Sequence, residues 1–446
     1  VNNFGMKNYY ELLVQQCGVK ADKLMLDCDG ESFTYGSLLE LVDRLAISAS
    51  EKGITSYKPI LIIAEGPVYQ VGAFLALEKL GAVPILMHQD CSSDVVETIM
   101  QENNIYGMWQ VGAMQNNFLR LDEAVADHYP WEVMGALTSG STGVPKVLYR
   151  SFESWADFFQ EQNRVFCVDA DTVMFLHGSM SFTGNLNMFM SVLAAGGSVI
   201  TCRRISGNYW NMLIMRNFAT HIYMVPAKLQ ILGRAAMAEN PYVRQIIAGS
   251  QLISLKGQQF LRKTFTRADI ILYYGTSELN YISYKHLKLD DTDSRNLGKP
   301  FDGVKVKSVD GDLYVDTKYH VSGVKIPYCC GDTGYINDDG EIIFNGRKTD
   351  WINKGGYKIS CLKLEQQIRN MDCVKDVAVM PFDDATRGQD IAAFVVTDGH
   401  TDSKKFRHDV GEYVDERERP KKLIFLEMLP LNDRGKVNKE ALRELL

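Results

Sequence analysis

Several protein classes are excluded by what this chain lacks. Its nine cysteines form no Cys-x-x-Cys pair and no cysteine–histidine cluster at ligand spacing, so neither a zinc ribbon nor a disulfide framework can be drawn. The adjacent Cys329 and Cys330 are poorly placed for an ordinary disulfide, and all the thiols are read as reduced. Basic charge is not in excess: 48 Lys and Arg stand against 55 Asp and Glu, a net charge of −7. Phosphate neutralisation needs a basic face, so no nucleic-acid partner is expected. The longest apolar run, Met188 to Ile200, is interrupted by Gly196 and Gly197 and is too short for a membrane span. Val1 to Tyr10 carries neither a charged start nor an apolar core of a leader, so the expected location is the cytoplasm. Internal repeats, low-complexity tracts and long Pro/Ser linkers are missing as well, which makes the domain joints short.

What is present is ordinary globular material: 446 residues, 46% hydrophobic and 23% charged, enough for two or three domains. From Pro59 onward, short β-branched runs alternate with helical periods, the pattern of a sheet flanked by helices. Ile60 to Ala64 reads as a buried strand, Tyr69 to Leu80 as a helix stopped by Gly81, and Val83 to Leu86 as strand again. His221 to Val225, Arg244 to Ala248 and Ile270 to Tyr274 are further strands, with Pro226 opening a helix. After Asn296 regularly spaced glycines punctuate short alternating runs, a β-rich texture. From Asp350, helix (Leu364 to Asn370), strand (Val374 to Met380, Ile391 to Val396) and helix (Lys404 to Val414) make a small α+β domain. The fold class is therefore α/β: a large N-terminal domain of helix-flanked sheets with a β-rich subdomain, over 1–349, and a small mobile α+β domain over 350–446.

One segment stands out chemically. Leu137 to Lys146, Leu-Thr-Ser-Gly-Ser-Thr-Gly-Val-Pro-Lys, suits phosphate: glycines let backbone N–H groups approach an anion, hydroxyls donate, and a lysine supplies charge. It is not a Walker A loop, because Pro145 precedes Lys146 and Val147 follows it. As a bare Ser/Thr/Gly run it would be a surface turn; the ordered Gly-x-x-Gly-x-Pro-Lys close favours nucleotide binding. Four more segments follow in order: Leu272 to Glu278 (Leu-Tyr-Tyr-Gly-Thr-Ser-Glu), Tyr328 to Gly334 with Gly331-Asp332, Asn345 to Ile359 with Gly346-Arg347 and Gly355-Gly356, and Leu429 to Val437 with Gly435-Lys436.

These segments, over about Ser32 to Leu442, resemble the adenylate-forming superfamily of acyl-CoA synthetases, peptide-synthetase adenylation domains and luciferase. The resemblance implies that Thr138, Ser139, Ser141, Thr142 and Lys146 grip the ATP phosphates. It implies adenine and α-phosphate contacts for Tyr274, Gly275 and Ser277, Mg²⁺ on Glu278, the ribose on Asp332, and a further nucleotide contact at Arg347. Asp350 becomes a hinge, Gly355 and Gly356 part of a tunnel for a thiol arm, and Lys436 the catalytic lysine between substrate carboxylate and α-phosphate. Where relatives carry Pro-x-Glu-hydrophobic-Glu, Cys361 to Glu365 keeps only Leu364 and Glu365, and Cys330 replaces the usual hydroxyl residue.

The implied reaction adenylates a small carboxylic acid with ATP and Mg²⁺, then transfers the acyl group to coenzyme A or to the phosphopantetheine of an acyl carrier protein. Phe182 and Thr183 line the acid pocket, with Gly249 and Ser250 opposite and counted as well among the ATP-binding residues. Amino-acid-activating relatives place an aspartate where Thr183 stands, and a neutral hydroxyl cannot compensate a desolvated ammonium, so an aryl or short acyl acid is favoured over an α-amino acid. His177 is assigned a structural place. Two other readings stay open: an adenylating enzyme with a non-thiol acceptor, and an ATP-binding regulatory protein without turnover.

Overall fold

The computed structural model describes residues 5–89, 91–121, 127–138, 145–236, 238–249, 253, 255–289, 291, 295–384, 388–399, 403–431 and 437–446. Two compact units share them: Val1–Ser294 with Lys299–Lys305 and Asp316–Ile326, and Arg295–Gly298 with Val306–Val315 and Pro327–Leu446. The chain thus interlaces the units near residues 295–327 before settling in the second.

The first unit carries two sheets. In the nine-stranded one, Leu24–Cys28, Ser198–Thr201, Val173–Leu176, His221–Tyr223, Gln245–Gly249 and Asp269–Thr276 lie side by side and parallel. Antiparallel strands close the edges: Glu31–Thr34 at one end, Asn280–His286 and then the two-residue Lys299–Pro300 at the other. Parallel strands are covered on both faces and so read as unbroken apolar runs; every residue of Gln245–Gly249 is buried. Helix Thr183–Ala195 is buried from Asn185 to Ala194, as an interior helix must be.

The six-stranded sheet runs Asn116–Arg120, Gly107–Val111, Pro59–Ala64, Val83–Met87, Glu132–Leu137, Val147–Ser151. Helix Gly66–Lys79 starts three residues before the expected Tyr69, because Pro67 sits in its first turn with φ already set for a helix. The strand expected over His221 to Val225 is confined to His221–Tyr223: Val225 is held extended as the N-cap of helix Pro226–Arg234. The first unit also contains helices Tyr9–Lys20 and Tyr35–Glu51, the latter opened by a reciprocal Thr34/Ser37 capping box.

In the second unit a four-stranded sheet, Lys305–Val309, Asp312–Asp316, Tyr328–Ile336 and Ile342–Arg347, realises the glycine-punctuated texture. A 3₁₀ turn, Lys348–Asp350, leads into a five-stranded sheet built from Trp351–Lys354, Tyr357–Ser360, Val374–Asp384, Gly388–Thr397 and Lys422–Leu426. Helices Cys361–Arg369 and Ser403–Tyr413 pack on it around Ile352, Leu364, Ile391, Val395 and Phe406, all fully buried. Among the described residues, no helix is long and apolar enough to cross a membrane. None of the nine cysteines is joined in a disulfide.

Candidate active site

The two described ends of the hydroxyl-rich segment adjoin an antiparallel pair. Strands Glu132–Leu137 and Val147–Ser151 run in register up to Leu137 and Val147. Beyond them Thr138 donates its N–H to the Lys146 carbonyl at 2.9 Å and its Oγ1 to the same oxygen at 3.2 Å. Asn103 clamps the returning limb: its Nδ2 donates to the Pro145 carbonyl (3.0 Å) and its Oδ1 accepts the Val147 N–H (2.8 Å). Thr138 is half-buried and Lys146 exposed. Ser139, Ser141 and Thr142 lie outside the described residues, as does Ser250.

Four residues past Lys146 stands Arg150, which has no exposed surface. Its Nη2 donates to the Ser277 carbonyl at 2.6 Å, and its Nη1 donates to the Tyr319 carbonyl and to Ser154 Oγ, each at 3.3 Å. Burial lowers its pKa to about 10, while Tyr9 and Glu278 pull the other way. Two backbone bonds add to the link: Val321 N–H to the Glu278 carbonyl (2.9 Å) and Ser322 N–H to the Tyr149 carbonyl (2.8 Å). Inside the first unit, the strand leaving the phosphate-type loop is thereby tied to the turn that carries Ser277 and Glu278. Sequence reasoning passed over Arg150; a lone arginine in a short strand, directly after an anion-type loop, was the available signal.

Tyr274 and Gly275 end the strand Asp269–Thr276, with a register shift between them against Asn280–His286. A Cβ on Gly275 would meet the Asn280 carbonyl oxygen at 2.5 Å, so a glycine is required there. Ser277 and Glu278 follow in the turn, both partly exposed. Among the described residues, no group of three or more His, Cys, Asp and Glu side chains could hold a metal. Magnesium would suit Glu278 only together with phosphate and water oxygens, which is how this ion is usually held.

The acid-pocket candidates also converge in the first unit. Phe182 is the N-cap residue of helix Thr183–Ala195, and both Phe182 and Thr183 are partly exposed rather than core. A Cβ on Gly184 would come 2.2 Å from Tyr223 Oη, and one on Gly249 would come 2.1 Å from the Tyr273 ring. Tyr223 and Tyr273 stack at 6.0 Å with their hydroxyls 2.5 Å apart. The glycine at 249 is thus explained by the ring it faces, a pair of tyrosines that the sequence alone did not single out. His177 is buried with its ring 4.6 Å from that of Trp210.

In the second unit Asp332 and Arg347 meet as cross-strand partners. Arg347 Nε donates to Asp332 Oδ1 at 3.0 Å; the aspartate side chain is 1% exposed and the arginine 59%. Asp350 closes the 3₁₀ turn and accepts from Lys439 Nζ at 2.6 Å. Gly355 and Gly356, at φ +58 and +89, form the two-residue turn between Trp351–Lys354 and Tyr357–Ser360. Both positive φ values require glycine or its like in a turn of this kind, and no atom lies within 4 Å of an added Cβ at either position. Lys354 anchors the turn, pairing with the fully buried Asp390 (3.0 Å) and donating to the Arg419 carbonyl (2.9 Å). Lys436 falls outside the described residues; Leu431 and Val437 are bridged antiparallel.

Solved structures share this architecture along nearly the whole chain. The ATP-bound MatB from Rhodopseudomonas palustris matches with a TM-score of 0.84 at 20% identity, covering 99% of both chains. The o-succinylbenzoate CoA synthetase from Bacillus subtilis, in complex with its acyl-adenylate intermediate, matches with a TM-score of 0.83 at 17% identity, covering 98% of both. The fold is that of the AMP-forming acid–thiol ligases. Two family models match the sequence: "AMP-binding enzyme" over residues 134–323, and "AMP-binding enzyme C-terminal domain" over residues 363–436. The first takes in both Thr138 and Glu278, the second ends on Lys436, and together they cover more than half of the chain. The protein therefore belongs to the adenylate-forming superfamily of AMP-binding enzymes. Curated relatives include an uncharacterized acyl-CoA ligase, YhfT, of Bacillus subtilis, 23% identical and covering 75% of this chain and 74% of its own length. Another is the putative long chain fatty acid-CoA ligase VraA of Staphylococcus aureus, 22% identical and covering 96% of each.

Proposed function

We propose that the protein is an acid–thiol ligase that consumes Mg·ATP in two steps. In the first, a carboxylate oxygen attacks the α-phosphorus and pyrophosphate leaves; in the second, a thiol sulfur attacks the acyl carbon and AMP leaves. The observation that carries this reading is the tie through Arg150, which holds the base of an anion-type loop and the Glu278 turn in one unit. A triphosphate lying between them would have backbone N–H groups and Lys146 at one side and a Mg²⁺-binding carboxylate at the other. Thr138, Ser139, Ser141, Thr142 and Lys146 take the phosphates; Tyr274 packs against the adenine beside Gly275, Ser277 contacts the α-phosphate, Asp332 holds the ribose, and Arg347, which orients Asp332, contacts the nucleotide.

Lys436 supplies positive charge where the carboxylate meets the α-phosphate, and Gly355-Gly356 admits the thiol arm. The part from 350 onward turns about Asp350 between the steps, so that the two segments serve one site in succession. The acid is aryl or short acyl, lodged beside Phe182, Thr183, Gly249 and Ser250. The acceptor is coenzyme A or a carrier-protein pantetheine, and the reaction is placed in the cytoplasm, where ATP and reduced thiols are at hand. ATP–pyrophosphate exchange over a panel of carboxylic acids, with and without coenzyme A, tests the reading. Acid-dependent exchange plus a thioester product is expected; no exchange with any acid would overturn it, and exchange with no thiol transfer would move the acceptor to another class.

A further inference from the structure

One ionisable group on the acid-binding side of the first unit has no part in the chemistry above. Lys228 stands in the first turn of helix Pro226–Arg234, directly after the strand His221–Tyr223. Its Nζ lies 3.3 Å from the His177 carbonyl oxygen and 3.1 Å from where a Cβ on Gly178 would stand. Gly178, at φ +119, keeps that space clear. The ammonium thus points into the loop that joins strand Val173–Leu176 to Phe182 and Thr183. That loop sits at the carboxyl ends of two neighbouring parallel strands, where open α/β sheets receive their ligands.

The lysine is short of partners. Burial lowers its pKa to about 8, and only Cys202 pulls the other way. Among the described residues no carboxylate pairs with it. The groups that face it are His177, Cys202 and Asn185, and none supplies negative charge. Burial first, and Lys228 second, push the His177 pKa down to about 3, so the imidazole is neutral. The Cys202 thiol is pushed up to about 12 by burial. Asn185 Nδ2 donates to the Ser179 carbonyl at 3.1 Å and to the His177 carbonyl at 3.5 Å, the same oxygen that Lys228 uses. One carbonyl at 3.3 Å is weak compensation for a desolvated ammonium. The N-cap residues of the two helices that start here, Phe182 and Val225, make no side-chain cap, so the local field is already positive.

We infer that Lys228 receives a second carboxylate on the acid, so that the substrate class is a dicarboxylic acid with one end activated and the other paired to this amine. The inference rests on the ligase reading and names the substrate class which that reading leaves open. A monocarboxylic acid would leave the buried ammonium unpaired, and sites built around a polar partner reject analogues that lack it by large factors. The pair would also orient the diacid, since a charge-assisted hydrogen bond of about 2.8 Å fixes one end.

The test is ATP–pyrophosphate exchange with matched acids, succinate against butyrate, adipate against hexanoate and terephthalate against benzoate, using the full chain and its Lys228→Met and Lys228→Arg variants. In the wild type the best diacid should exceed its partner by at least about 10-fold in kcat/KM. Lys228→Met should lower that diacid by about 100-fold, mainly through KM, and raise the monocarboxylic partner; Lys228→Arg should keep the diacid preference. Thermal melting checks folding, and the Met variant should melt no lower than wild type, since an unpaired buried amine is exchanged for an apolar side chain. Exchange without diacid preference, or an equal loss for both members of a pair in the Met variant, would overturn this inference and leave the ligase reading standing. Absence of exchange with every acid would overturn both.

Discussion

Arg150 shows how much one buried side chain can organise. Its guanidinium satisfies two carbonyls and a hydroxyl from three separate segments, a task for a planar fork of donors that a lysine ammonium cannot repeat. Arg150→Met should therefore destabilise the first unit by about 2–4 kcal/mol, since it orphans buried acceptors, and should depress pyrophosphate exchange by more than ten-fold as the Glu278 turn loosens. Arg150→Lys should fall short of rescue in both. Melting temperature and exchange rate measured on the same samples check this, and full activity in the lysine variant would refute it. Gly249→Ala makes a local prediction: the new methyl group would displace the Tyr273 ring and, through the hydroxyl pair, Tyr223, raising KM for the acid while KM for ATP changes little. Equal shifts in the two constants would count against Gly249 as part of the acid wall.

Glu365 offers a pH signature. Burial raises its pKa to about 7, with Arg369, the Val379 N–H and Lys439 opposing and Asp350 adding to the rise. The folded-state pKa lies above the ordinary value of 4.5, so the native state holds a proton that the unfolded chain has lost. Stability must then fall as pH climbs from about 4.5 to about 7 and level off above. Glu365→Gln keeps the acceptor for the Val379 N–H at 2.8 Å and should remove this slope, raising stability at pH 8 by up to about 2 kcal/mol. Denaturant titrations at several pH values would show whether the slope disappears.

At the scale of elements, the turn at Gly355-Gly356 is tight and firmly based. The ion pair of Lys354 with Asp390 lies at its foot with side chains 9% and 0% exposed. Asp390→Asn should cost about 3–5 kcal/mol, because it leaves a buried ammonium poorly paired. A β-branched residue at position 356 would strain the turn at its φ of +89. Under the proposed role, Gly356→Val slows thioester formation from supplied acyl-adenylate while sparing pyrophosphate exchange; loss of exchange alone would place this turn elsewhere in the cycle.

Elements were also where the sequence was most legible. The buried strands around Ile60, Val83, Ile246 and Ile270 announced themselves as β-branched runs, because parallel strands are apolar on both faces. Boundaries were harder: Pro67 opens its helix earlier than the expected Tyr69, and the strand before the correctly expected helix start at Pro226 stops at Tyr223, because Val225 serves as the N-cap. Of the candidate site, the hydroxyl- and glycine-rich loop stood out because its residue types suit phosphate, and the other motif residues through their resemblance to the adenylate-forming superfamily. The groups that brace them act through contacts between distant segments: Arg150 had one local signal, its place just after the anion-type loop, whereas nothing in the immediate neighbours of Asn103, Tyr223 and Tyr273 signals their role.

On the scale of the whole molecule, the proposed division of labour places the anion loop and acid wall in the first unit, and the lysine loop and thiol turn in the second. Lys436→Ala should then suppress pyrophosphate exchange by roughly 10²–10³, the usual loss for one preorganised donor, and leave thioester formation from supplied acyl-adenylate largely intact. Equal loss of both half-reactions would contradict that division.

The borders of the nine-stranded sheet carry a separate consequence. At one margin the last strand is only Lys299–Pro300, a cation and an imino acid that lacks the N–H a further strand would need; at the other it is the short Glu31–Thr34, led by an acid. A sheet this wide would otherwise be a template for intermolecular stacking. With both margins blunted, the protein should stay dispersed at concentrations where a long bare edge would seed fibrils, and replacing Pro300 with valine is the change most apt to end that resistance.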